Sequence, residues 1–139
     1  MSLVSWLIDK SALWRGGHPT VKDEIQWRVA RGMVGVSIAT ELEIGFSAQS
    51  IASYQLMRRT MVDRLIPVPL PLRAEDRARE VQVTLIERGQ HRAVSVPDLL
   101  IAATAEIEGL TVLHYDADFD LIAEITGQPC EWVVPKGTL

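Results

Sequence analysis

Leu3-Val4-Ser5-Trp6-Leu7-Ile8 is an apolar run that stops abruptly at the charged pair Asp9-Lys10. Its length suits a strand, and its lack of polar alternation fits a strand covered on both faces, as in a parallel sheet. Val34 to Ile38, Thr111 to Tyr115 and Glu131 to Val134 read as further strands. The segments between them carry helix signals. Pro19 opens a helix to Arg31 that Gly32 ends, helical stretches follow over Thr40 to Ala48 and Ser50 to Leu65, and Ala74 to Arg88 runs up to Gly89. Pro97 opens another helix that stops at Gly109, and Phe119 to Ile125 is a last short one. Ile66 to Pro71 holds three prolines, each removing a ladder donor, so it is an edge strand or an extended connector. Strands alternating with helices predict an α/β fold, with a mostly parallel central sheet of about five strands flanked by helices on both faces.

With 139 residues the chain is expected to form one domain over residues 1–139. Hydrophobic residues at 47% and charged residues at 23% place it among folded proteins rather than disordered ones. Its apolar stretches, such as Leu99 to Ala105, fall short of the roughly 20 residues of a membrane span. The first apolar run has no basic flank and no small-residue cleavage site, and the single Cys130 cannot form an internal disulfide. A cytoplasmic protein with an inert thiol is therefore expected. The net charge of −4 argues against coating nucleic acid through a broad basic surface, but not against a nuclease whose acidic site is neutralised by cations.

The acids carry the functional signal. In open parallel sheets ligands bind outside the carboxyl ends of the strands, and Asp9 and Asp116 both follow strands. Glu43 lies in the first helix after the second strand, Asp98 in the first turn of the helix opened by Pro97, and Asp118 two residues beyond Asp116. Taken singly, Asp9 is an ordinary turn residue, Asp98 a helix-dipole complement, and Asp116 to Asp120 a turn with a cap. Together they are expected to face one pocket. Crowded carboxylates repel and are expensive to bury unpaired, so the cluster implies a hard divalent cation, Mg2+ or Mn2+. Such ions activate water and orient a phosphodiester without a histidine base or a covalent nucleophile. No convincing histidine or cysteine triad competes with that chemistry, since His18, His91 and His114 lack metal-ligand spacing.

Four blocks of the sequence carry a family resemblance. Leu7-Ile8-Asp9-Lys10-Ser11-Ala12-Leu13, Leu42-Glu43-Ile44-Gly45-Phe46-Ser47-Ala48, Val96-Pro97-Asp98-Leu99-Leu100-Ile101-Ala102-Ala103 and His114-Tyr115-Asp116-Ala117-Asp118-Phe119-Asp120 occur in that order across nearly the whole chain. They resemble the blocks of VapC-type PIN domains, and the closing Trp132-Val133-Val134 resembles actinobacterial members. The resemblance implies a PIN-like fold and a Mg2+-dependent endoribonuclease toxin acting on RNA. It also implies a homodimer and neutralisation by a VapB-type antitoxin, a short segment of which would occupy a groove near the acids. Asp9, Glu43, Asp98 and Asp116 match the family's acidic positions, with Asp9, Asp98 and Asp116 as metal ligands, Asp118 as an auxiliary acid and Ser11 as a hydroxyl beside the metal. Glycine spacing selects Glu41, four residues before Gly45, whereas the Leu-Glu-x-x-x-Ser-Ala form selects Glu43, the choice adopted here. Lys10 departs from the pattern, standing where a threonine is common.

Arg88 and Arg92 precede Asp98 and are candidates for contact with RNA phosphates, set against the ordinary reading of a solvated helix end. Trp6, Trp14, Trp27 and Trp132 are expected in the core or at a dimer interface. Two rival readings differ in class. A haloacid-dehalogenase-like phosphatase would carry Asp-x-Asp where this chain has Asp9-Lys10-Ser11, and a PIN-like module that only binds RNA or protein would not need all four acids.

Overall fold

The computed structural model describes residues 3–139. Its described strands are β1 (Trp6–Ile8), β2 (Val34–Ser37), β3 (Ile66–Val68), β4 (Thr111–His114) and β5 (Cys130–Trp132). They form one sheet in the order β3-β2-β1-β4-β5, and every pairing is parallel. The helices are α1 (Lys10–Leu13), α2 (Pro19–Ala30), α3 (Ile38–Phe46), α4 (Ile51–Met57), α5 (Leu72–Glu87), α6 (Val96–Glu108) and α7 (Asp118–Thr126). The α/β architecture read from the sequence is the one observed.

Alternation along the strands divides the core. Leu7 and its partner Val112 turn toward a cluster containing Ala78 and Leu85 of α5, Ile101 of α6 and Phe119 of α7. Ile8 and its partner Leu113 turn the other way, to Ala12 of α1, Val21 and Ile25 of α2 and Ile44 of α3. Leu7 and Ile8 are fully buried. Each such side chain contributes about 1.5–3 kcal/mol, which is why the opening run has no polar alternation. Gly35 on β2 is forced by packing, because a Cβ there would stand 2.5 Å from Val68 Cγ2.

Local signals set the helix ends. Ser37 Oγ accepts from Thr40 N–H to start α3, Ser50 and Ser53 cap α4 reciprocally, and Ser95 Oγ accepts from Asp98 N–H to start α6. Two details differ from the sequence reading, and the proline-rich edge matches it. The stretch Ser50 to Leu65 is not one regular helix, since α4 passes into a π-helical turn over Arg58–Val62. Ile66 to Pro71 pairs only through β3, at the sheet edge where Pro67 is tolerated. Residues 10–13 form a short helix that periodicity cannot reveal.

The tryptophans divide as well. Trp6 and Trp27 meet edge to face at 5.7 Å, with the buried Arg28 guanidinium over both rings. Arg28 Nη2 also reaches Glu131 at 2.6 Å, tying α2 to β5. Trp14 is 42% exposed, and Trp27 itself keeps 38%.

Candidate active site

The chain proceeds outward from β1 to β2 and β3, then returns to lay β4 on the other flank of β1. The carboxyl ends of β1 and β4 therefore border the point where strand order reverses, the usual place for a ligand in an open α/β sheet. Asp9 follows β1 directly, and Asp116 follows β4 after one residue.

Asp9 is 3% exposed and caps α1, with Oδ2 accepting from Ser11 N–H at 2.9 Å. Its Oδ1 is buried and, among the described residues, has no hydrogen-bond partner. Ser11 Oγ accepts in turn from Tyr115 N–H at 2.9 Å, stitching the end of β1 to the segment after β4. Burial raises the Asp9 carboxyl above its ordinary value; the Ser11 hydrogen bonds oppose this, and the charges of Glu43 and Asp116 add to it.

Asp98, Asp116 and Asp118 each offer a carboxylate oxygen within 4.8 Å of the others. Asp98 lies in the first turn of α6 and is 6% exposed. Burial, followed by the charges of Asp9 and Asp116, pushes its carboxyl up to about 7. Asp118 opens α7 and donates its N–H to Asp116 Oδ1 at 2.9 Å. Its carboxyl is also raised, by burial first and then by Asp116 and Asp9.

The tightest triad thus contains Asp118 where the sequence reading had Asp9 as a ligand, with Asp9 standing beside it as an electrostatic neighbour. Three converging carboxylates, two of them with raised proton affinity (Asp98 and Asp118), form a hard oxygen donor set suited to Mg2+ or Mn2+. The unpartnered Asp9 Oδ1 and the equally unpartnered Glu43 Oε1 are further oxygens that a cation or its waters would satisfy.

Both glutamates of α3 have partners of opposite charge. Glu41 pairs with Arg58. Glu43 Oε2 lies 3.2 Å from Lys10 Nζ, and its charge acts on Asp9. Geometry thus aims Glu43, not Glu41, at the acids. Lys10, the departure noted in the sequence, is the cation that holds Glu43. Arg88 and Arg92 are exposed at the end of α5 and in the turn after it; among the described residues no hydrogen bond or ion pair joins either to the carboxylates.

His114, which the sequence reading set aside as a metal ligand for want of spacing, has a positioning role that spacing did not show. It is fully buried on β4, with its ring 5.0 Å from Phe119 and 4.9 Å from Trp132. Its Nδ1 accepts from Asp116 N–H at 3.1 Å, and burial lowers its proton affinity to about 4. The imidazole is therefore neutral and orients the backbone that carries Asp116. Burial likewise pushes the Cys130 thiol up to about 12, consistent with an inert residue.

Comparison with known proteins identifies the family. The PIN domain family model matches residues 7–125. The chain is 50% identical over 127 residues to Ribonuclease VapC2 of Mycobacterium tuberculosis (strain CDC 1551 / Oshkosh), covering 91% of this chain and 90% of that one. The chain belongs to the VapC-type PIN-domain family.

Ribonuclease VapC21 of Mycobacterium tuberculosis (strain ATCC 25618 / H37Rv) is 43% identical to this PIN domain over 133 residues, 96% of each chain. Among solved structures, a chain of the DNA-bound VapBC from Salmonella typhimurium superposes with a TM-score of 0.76 at 17% identity, covering 94% of this PIN domain and 99% of that chain. A chain of VapBC2 from Rickettsia felis, bound to a promoter DNA fragment, gives 0.74 at 14% identity, covering 93% and 99%. At those identities the structures speak to the fold of this PIN domain alone.

Proposed function

We propose that this PIN domain is a divalent-metal-dependent endoribonuclease toxin, a single domain over residues 1–139, neutralised by a VapB-type antitoxin. One observation carries the reading: the carboxylates of Asp98, Asp116 and Asp118 come within 4.8 Å of one another, with the charge of Asp9 acting on Asp98 and Asp118, in a chain 50% identical over 127 residues to a ribonuclease. The VapBC complexes among the structural neighbours support a partner of the antitoxin kind. Among the described residues, no helix is long and apolar enough to cross a membrane, and a cytoplasmic site of action goes with that reading.

Asp9, Asp98 and Asp116 are assigned as metal ligands, with Asp118 as an auxiliary acid completing the tight triad. A bound Mg2+ or Mn2+ supplies Lewis acidity toward the phosphodiester and lowers the pKa of water at neutral pH. The protein's own contribution is position. Ser11 holds Asp9 through one oxygen and leaves the other free, and the backbone of Asp118 does the same for Asp116. Glu43, steadied by Lys10, is placed to accept a proton from the attacking water. Arg88 and Arg92 stay proposed contacts for more distant phosphates.

Purified protein and its Asp9→Asn and Asp98→Asn variants should be assayed on total cellular RNA with Mg2+, Mn2+ or excess chelator. Cleavage is expected only with a divalent cation, and each variant should lose at least about 100-fold, the scale set by removal of one electrostatic catalytic group, while keeping its circular dichroism spectrum. Cleavage undiminished by chelator would exclude the mechanism. Co-expression with the neighbouring gene should co-purify a small partner that abolishes the activity.

A further inference from the structure

We propose that a second nucleic-acid subsite, separate from the acids, lies in the recess between α1, α2 and the π-helical turn after α4, and that it takes a base and flanking phosphates of a single-stranded RNA. The proposal rests on the ribonuclease reading and specifies where its substrate runs. The recess has a volume of about 540 Å3, and its walls include Trp14, Lys22, Arg59 and Arg64 but no acidic residue. In a chain of net charge −4 this is a local reversal of sign. Among the described residues, none of the three cations forms an ion pair, whereas Lys10, Arg28, Arg58, Arg77 and Arg79 all do. The charges lining the recess are therefore left for a ligand.

Trp14 supplies the other half of single-strand recognition. It is 42% exposed although it is among the most apolar and bulky of side chains, and an aromatic face beside basic groups is the arrangement on which bases stack. Gly16 and Gly17 also line the recess, keeping its wall free of side chains where a backbone would approach. Position links it to the acids. Leu13 and Trp14 lie four and five residues after Asp9, about 6–8 Å along the axis of the short helix that Asp9 caps. A strand whose scissile phosphate sits at the carboxylates would reach the recess after a short run. An acidic protein segment could also satisfy the cations and pack on the indole; the pairing of an aromatic face with unpaired basic groups is the one single-stranded RNA uses for stacking and phosphate contact, so RNA is the occupant assigned and the acidic segment is an outcome of the test.

The test measures binding of a fluorescein-labelled 12-nucleotide single-stranded RNA to the full chain in excess chelator, where cleavage does not intervene. Trp14→Ala is expected to weaken binding about fivefold or more, the lower end for loss of one base-aromatic stack. Lys22→Ala/Arg64→Ala is expected to weaken it and to flatten the slope of log affinity against log salt by about 0.7 per lost phosphate contact. Trp14→Phe should recover most of the affinity. Thermal melting checks that all variants fold, and the exposed cations of the double variant guard against Trp14 being needed for folding.

Unchanged affinity and salt slope in both variants, or equally tight binding of a poly-glutamate peptide of the same length, would overturn the subsite. Absence of divalent-dependent cleavage by the wild-type chain would instead sink the ribonuclease reading, whatever the binding data say.

Discussion

Asp98 sits where two influences oppose each other. The start of α6 favours a negative charge, while burial and the neighbouring acids disfavour it, and the second influence wins by a wide margin. With its carboxyl raised from 3.8 to about 7, the folded metal-free protein keeps a proton that the unfolded chain has already released across that interval. Stability should therefore fall as pH rises from about 4 to about 7 and level off above it. Asp98→Asn should lack this component and be more stable than wild type at pH 8 in chelator, by on the order of a few kcal/mol. Urea unfolding at pH 4.5 and pH 8 measures the difference. Adding Mg2+ or Mn2+ at pH 8 should close the gap by stabilising the wild type alone.

At the scale of elements, capping and close packing hold the acids in place. Ser95 starts α6 and fixes the turn that carries Asp98. Ser95→Ala should cost about 0.5–2 kcal/mol in chemical denaturation, and part of that change should appear as weaker metal binding, because the Asp98 backbone loses its restraint. Gly35→Ala should cost about 1–3 kcal/mol, since the added methyl meets the stiff Val68 side chain and lies 3.3 Å from the carbonyl oxygen of Ile66.

These elements also show what a sequence conveys. The double burial of β1 was legible because no polar residue interrupts Trp6-Leu7-Ile8, and the start of α6 was legible from Pro97. Helix α1 was hidden because four residues are too few to show a period, and the π-helical turn because apolar spacing at Met57, Met61 and Val62 also fits a regular helix. In the site, strand ends pointed to Asp9 and Asp116. That Asp118 joins the tight triad, or that Glu41 is taken by Arg58, depends on side-chain directions that no linear spacing encodes.

At the scale of the molecule, one flank beside the acids is unusually apolar for a surface. Phe46 is 92% exposed, Leu42 66% and Val96 64%, and they surround a recess of about 530 Å3 next to Lys10 and Glu43. Contiguous exposed apolar side chains of this size mark a protein interface. If the chain self-associates, as the family resemblance implies, this patch is the surface it would use: wild-type protein is then expected to sediment as a dimer and Phe46→Glu as a monomer. A wild-type monomer at micromolar concentration would remove that assignment.

The placing of β4 against β1 has a consequence during synthesis. Asp9 emerges from the ribosome early, but Asp98, Asp116 and Asp118 meet it only after β4 has docked beside the first strand. Parallel pairing of this kind is non-local and slow to form. A nascent chain that has not yet reached residue 118 thus lacks part of the acidic cluster, and under the proposed ribonuclease reading it would stay inactive toward RNA until most of the polypeptide has been made.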